Sequence, residues 1–243
     1  MVETVVVTAS AGSFPGLVEA LRGLPAAVEE RPLMTFAPPL DWSPVDRAIA
    51  ELGRFDALAV TSPRAARAFA ERLAGPRTAP PVWAAGAGTA TALGTALGPV
   101  RTPPADVVGT VGAAAALSRA MLEAGVRGPV LFPCGEVRRE ELPARLRAEG
   151  IEVVEIVCYR SVLAEAAAAR NAAERARVLV VASPSVADLL ARACPPGARP
   201  ALLAVGPTTA AAARAAGWTP AGVARRPAVD ALVAGVRALL ATR

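Results

Sequence analysis

The chain of 243 residues contains no histidine and no lysine; all 26 of its basic residues are arginine. Histidine-based triads, histidine metal sites, lysine Schiff bases and the P-loop lysine are thereby excluded. Carboxylates, cysteine, a single tyrosine and groups on a substrate itself remain for proton transfer. Arginine stays protonated and cannot act as a base, but its planar fork suits carboxylates. Aromatic residues are also scarce, at 4%. Little aromatic surface therefore accompanies the net charge of +5, and the arginines are spread along the chain, so no nucleic-acid site is expected. A small polyanion fits that charge equally well, and arginine-only usage is above all what a GC-rich genome produces.

The three cysteines, Cys134, Cys158 and Cys194, are odd in number and lack CxxC spacing. Neither a disulfide framework nor a zinc site is expected, and each reads as a small buried residue. No long apolar run survives its punctuation. The stretch 78–100 is uncharged but broken by Pro80, Pro81, Gly86, Gly88, Gly94, Gly98 and Pro99, so no membrane span is expected. The opening MVETVVVTAS has no basic n-region and reads as a strand, which makes the cytoplasm the expected location.

What is present is an alternation of strands and helices. Strands are expected at Val5-Val6-Val7, 33–36, 57–60, 82–85, 130–132, 153–158, 178–182 and 202–205. Helices are expected from near Pro15, from Pro63 to Leu73, from Gly86 to about Gly98, and up to Ala148 before Gly150. Strands separated by helices of this length make βαβ units and a parallel sheet. The chain also repeats itself. LAVTSPRAARAF (58–69) is echoed by VVASPSVADLL (180–190), and VWAAGAGTATAL (82–93) by LLAVGPTTAAAA (202–213). A second pair, 4–36 and 129–159, shares strand, polar loop, helix and strand. Two similar α/β domains follow from this duplication, although it does not say which halves combine.

In parallel sheets ligands bind beyond the carboxyl ends of the strands. Ser62-Pro63 and Ser183-Pro184 fall there, each with serine placed to cap a helix and proline at its first position. Free amides and the helix dipole suit a carboxylate at such an end, and a good helix start is the plainer reading. Gly86 to Thr89 and Gly206 to Thr209 follow the same logic, and neither matches a nucleotide-binding loop. The charged loop from Cys134 to Glu140 is a solvated helix start or an anion site. Tyr159, the only tyrosine, is either an amphipathic strand end or a proton donor to a leaving oxygen.

VTSPRAARAF, CGEVRREELPARLRAEGIEVVEIVCYRSV, VVASPSVADLL and LLAVGPTTAAAARAAGWTP resemble, in order and spacing, the uroporphyrinogen-III synthase family across nearly the whole chain. The resemblance implies two flavodoxin-like domains, each a parallel sheet flanked by helices, covering 1–37 with 163–243 and 38–162 and joined by a two-strand hinge. It implies a cofactor-free hydro-lyase of haem biosynthesis that closes hydroxymethylbilane to uroporphyrinogen III, losing water and inverting ring D; a monomer is the plain default. Handover of the substrate from hydroxymethylbilane synthase belongs to the same expectation. Tyr159 is then the catalytic residue, assisting departure of the hydroxyl. Ser62, Thr89, Arg138, Arg139, Ser183, Ser185, Thr208 and Thr209 bind the substrate's carboxylates, and no metal takes part. The first strand of many members runs into an arginine-bearing loop, where this chain has Val7-Thr8-Ala9-Ser10, so Arg138 and Arg139 are expected to carry more of the anionic load. The alternative is a non-catalytic, two-lobed anion-binding or regulatory relative of the same fold.

Overall fold

A computed structural model describes residues 3–73, 79–94 and 97–242. The chain divides into two compact units, residues 1–35 with 162–243 and residues 36–161. It passes from one to the other within strand β3 (Met34–Ala37) and again within β8 (Val153–Leu163).

The first unit contains β1 (Thr4–Val7), α1 (Leu17–Arg22), β2 (Ala27–Glu30), α8 (Ala166–Arg175), β9 (Val178–Val181), α9 (Pro184–Ala193), β10 (Ala201–Ala204), α10 (Pro207–Ala215), β11 (Gly222–Val223) and α11 (Val229–Ala241). Its strands are ordered β2-β1-β9-β10-β11, and every pairing is parallel. The runs Val5-Val6-Val7 and VLVV are apolar throughout because both faces of the sheet are covered. Strand alternation divides them: Val6, Leu179 and Val181 pack with α8, α9 and α10. Val5, Val7, Val178 and Val180 pack with α1 and α11 on the other face.

The second unit holds α2 (Ser43–Ala50), β4 (Ala57–Val60), α3 (Pro63–Arg72), β5 (Val82–Ala84), α4 (Ala87–Leu93), β6 (Val100–Arg101), α5 (Ala105–Val111), α6 (Ala113–Glu123), β7 (Val130–Gly135) and α7 (Glu141–Ala148). Its sheet runs β3-β8-β7-β4-β5-β6. Phe69 packs on one face of this sheet and Phe132 on the other, both buried. Burying each ring is worth roughly 1.5–3 kcal/mol.

Both sheets follow one plan. In the first unit, strands taken in chain order lie 2-1-3-4-5. In the second, β7 and β8 occupy the places of β1 and β2, and β4, β5 and β6 those of β9, β10 and β11. The pair that leads the first unit thus comes last in the second. In this order the strand sequence reverses between β1 and β9, and between β7 and β4, which are the switch points where α/β sheets bind ligands.

The structure departs from the sequence-based expectation in several respects, among them that β7 runs on to Gly135, into the stretch read as a loop. The strand expected to complete the first unit at 33–36 lies in the other sheet, and β1 instead pairs with β2, whose AVEE run is too exposed to read as buried. Helices α2, α5, α6, α8 and α11 were not anticipated; α5 buries no residue, and α6 packs through alanines, Leu117 and Met121. Helix α4 ends at Leu93 because Gly94 takes a φ of 63°, short of the expected end near Gly98; positions 95 and 96 lie outside the described residues. Strand β8 continues past Cys158 to Leu163.

Candidate functional site

The loops after β4 and β7 meet at the switch point of the second unit. They border a cavity of about 530 Å³ whose lining includes Thr61, Ser62, Cys134, Gly135, Arg138, Arg139 and Tyr159. Tyr159 arrives there by an irregularity in β8. Cys134 is paired with Val157 and Gly135 with Tyr159, so Cys158 is an extra residue on β8. Such a bulge re-aims the next side chain. The Tyr159 ring consequently lies against Gly135, and its hydroxyl stands 3.4 Å from the Ser62 Oγ.

Ser62 is the N-cap of α3, and its Oγ also accepts from the Ala65 N–H at 3.4 Å. The hydroxyl therefore touches both the positive end of a helix and the only phenol of the chain. Behind the ring, Phe36 meets Tyr159 edge to face, with centroids 5.7 Å apart. The Arg64 guanidinium lies 3.5 Å from the Phe36 centroid and 5.9 Å from that of Tyr159. Burial pushes Arg64 below the ordinary arginine range, and Tyr159 opposes that shift. Among the described residues Arg64 has no carboxylate partner. It lines a second cleft of about 410 Å³, for which Tyr159 is the shared wall.

The charged loop before α7 divides its arginines. Arg138 donates from Nε to Glu155 and forms a 3.3 Å ion pair with Glu140. Glu155 also accepts from Arg147; burial raises its carboxyl, but the two arginine hydrogen bonds outweigh that and hold it below the usual carboxylate range. Arg138 is thus tied down, whereas Arg139 is exposed and has no ion-pair partner among the described residues. The thiols do not compete as acids. Burial pushes Cys134 and Cys158 up to about 12 and raises Cys194 as well.

In the first unit Ser183 is the N-cap of α9 but makes no capping hydrogen bond, contrary to the expectation that both Ser-Pro serines cap through their hydroxyls. Ser185 and Thr208 are exposed at the starts of α9 and α10. Thr209 and its counterpart in the second unit, Thr89, are only 4% and 5% exposed. What the two glycine turns present most openly is accordingly backbone, with the Thr208 side chain in one of them. The loop after β1 is built inward: Thr8 donates to the Val180 carbonyl at 2.9 Å and Ser10 to that of Met34 at 2.7 Å.

The structure therefore brings Ser62, Arg138, Arg139 and Tyr159 to one cavity in the second unit, with Thr89 buried in the same unit. Ser183, Ser185, Thr208 and Thr209 lie at the carboxyl end of the first unit's sheet. Sequence reasoning missed Gly135 and Arg64. Arg64 follows Ser62-Pro63 directly, and an arginine in the first turn of a helix that opens on a switch point was the available signal. Among the described residues, no group of three or more His, Cys, Asp or Glu side chains is placed to hold a metal, and no helix is long and apolar enough to cross a membrane.

Residues 16–234 match the family model described as Uroporphyrinogen-III synthase HemD. A curated relative from Synechococcus elongatus, named uroporphyrinogen-III synthase, is 31% identical over 172 residues; the match spans 65% of this chain and 61% of that relative's length. A mutant uroporphyrinogen III synthase from Thermus thermophilus superimposes with a TM-score of 0.62 at 19% identity, covering 99% of this chain and all of the other. A uroporphyrinogen-III synthetase from Helicobacter pylori gives the same TM-score, identity and coverage. These two likenesses show the fold.

Proposed function

This chain belongs to the uroporphyrinogen-III synthase family, and from that premise we propose that it cyclises hydroxymethylbilane to uroporphyrinogen III. The reaction is loss of the terminal hydroxyl as water, attack of ring D through its substituted carbon, and reclosure through a spiro intermediate with ring D inverted. The pyrroles supply both electrophile and nucleophile. The protein's work is to hold the chain in a reactive conformation and keep water from the azafulvene.

The observation that carries the residue-level reading is the Tyr159 hydroxyl at a cavity rim, 3.4 Å from Ser62. Tyr159 donates its proton to the departing hydroxyl, and the proton released when the last pyrrole regains aromaticity restores the phenol. Ser62, the N-terminus of α3, Arg139 and Arg64 hold carboxylates in the second unit, and Arg138, tied to Glu155 and Glu140, holds the loop that presents Arg139. Ser183, Ser185, Thr208 and the α10 amides beside Thr209 do so in the first; Thr89 contributes chiefly through the turn it supports. A cation beside the phenol with no carboxylate partner among the described residues supports this reading, since a carboxylate-rich substrate is what would pair it. The Thr8 and Ser10 hydroxyls are engaged by backbone, which supports leaving that loop out of substrate binding.

We further propose that it works in the cytoplasm and takes its substrate directly from hydroxymethylbilane synthase. Hydroxymethylbilane consumption with and without the protein tests the activity. Tyr159→Phe tests the acid: turnover is expected to fall while uroporphyrinogen III still binds, and undiminished turnover would remove the role.

A further inference from the structure

We propose that Gly135 is a positioning residue for Tyr159: its lack of a side chain is what lets the phenol reach Ser62. The proposal rests on the role given to Tyr159 above and extends it to a residue that takes no part in the proton transfer itself.

A methyl group built on Gly135 would stand 2.6 Å from the Tyr159 Cζ, 2.8 Å from its Oη and 2.9 Å from Cε2. Carbon atoms pack at about 3.5–4.0 Å, so the ring cannot keep its place beside any side chain at 135. Backbone conformation is not the reason for glycine here. Gly135 is absent from the glycines with left-handed φ, and it sits within strand β7, where other residues are at ease. The constraint is the ring alone. It falls at the hydroxyl end of the phenol, the end that faces Ser62 at 3.4 Å.

Two further features hold the ring to this seat. The extra residue Cys158 brings Tyr159, instead of its neighbour, opposite Gly135. The Glu136 N–H donates to the Tyr159 carbonyl at 2.9 Å, which fixes the strand just beyond the glycine. With the backbone held by the β7–β8 pairing and by this bond, a ring displaced from Gly135 must give up its present place opposite Ser62.

The only tyrosine of the chain makes the test direct. In wild-type protein, nuclear Overhauser effects are expected between the Tyr159 ring protons and the Gly135 α protons; their absence would overturn the proposal, whatever any variant does. In Gly135→Ala the single tyrosine ring signal is expected to shift, and kcat to fall roughly tenfold or more, since misplacement by about 1 Å can cost on the order of 10²-fold. The same alanine introduced into Tyr159→Phe should change kcat by less than about twofold, because a residue acting only through the phenol is not additive with its loss. Equal loss in both backgrounds, or an unmoved ring signal, would overturn the positioning role. A fully active Tyr159→Phe would overturn it too, while a wild-type protein that makes no uroporphyrinogen III contradicts the proposed function instead.

Discussion

The Arg64 guanidinium stacks on the Phe36 ring with its central carbon 3.5 Å from the ring centroid, close to the phenol of Tyr159 and without a carboxylate partner among the described residues. Stacking holds the cation flat while its N–H edge stays available, which is a geometry lysine cannot copy. Arg64→Ala is therefore expected to weaken substrate binding. A charge-assisted hydrogen bond is worth about 1.5–3 kcal/mol, roughly a ten- to hundredfold rise in KM. Arg64→Lys should recover only part of it. Steady-state kinetics check this, and an unchanged KM would remove Arg64 from the site.

The two Ser-Pro helix starts look alike in sequence but differ in their hydrogen bonds. Ser62 caps α3 and Ser183 does not cap α9. At 3.4 Å the Ser62 cap is long, so Ser62→Ala is expected near the low end of the capping range, about 0.5–1 kcal/mol. Ser183→Ala should stay within about 0.5 kcal/mol of wild type. Urea unfolding of the two variants measures the difference, and equal losses would contradict the asymmetry.

Strands such as β1, β4, β9 and β10 were legible because sheets covered on both faces demand unbroken apolar runs. The repeated Ser-Pro and Gly-to-Thr turns were legible because duplication fixes their spacing. Edge strand β2 was not, since half of AVEE is acidic, and α5 and α6 bury too few large residues to show a period. The site was partly legible. Tyr159 and Ser62 stand out as residue types, but their meeting depends on Cys158 being surplus to the β7–β8 register, and pairing across 97 positions leaves no local mark. Gly135 fell within the stretch read as a charged loop, because the ring that explains it lies on another strand. Arg138 looked free because its partner Glu155 is also on β8.

Acid sensitivity is expected from Glu29. Hydrogen bonds from Arg175 and Arg31 lower its carboxyl from the ordinary 4.5 to about 2. A carboxyl depressed in the folded protein stabilises fully above its unfolded value, and that contribution is lost as pH falls from about 4.5 toward 2. The Arg175 pair joins α8 to β2. Glu29→Gln should therefore flatten the thermal-stability profile across that window and leave its shape at neutral pH unaltered. An acid limb as steep as in wild type would contradict the assignment.

The cysteines should be silent. With Cys134 and Cys158 pushed up to about 12 by burial, and Cys194 also raised, almost no thiolate exists at pH 7. Native protein is expected to react with a disulfide reagent only slowly, and all three thiols promptly after unfolding in guanidinium. Rapid labelling of native Cys134, coupled to loss of turnover, would contradict the burial argument.

The central claim is that the chain directs ring closure, and the isomer made reports on it most directly. Hydroxymethylbilane closes unaided to the uninverted isomer I. With the protein present, and the products oxidised and separated by chromatography, isomer III is expected to dominate in wild type and to form more slowly in Tyr159→Phe. Isomer I alone, at the unaided rate, would contradict the account and leave a non-catalytic relative of the family.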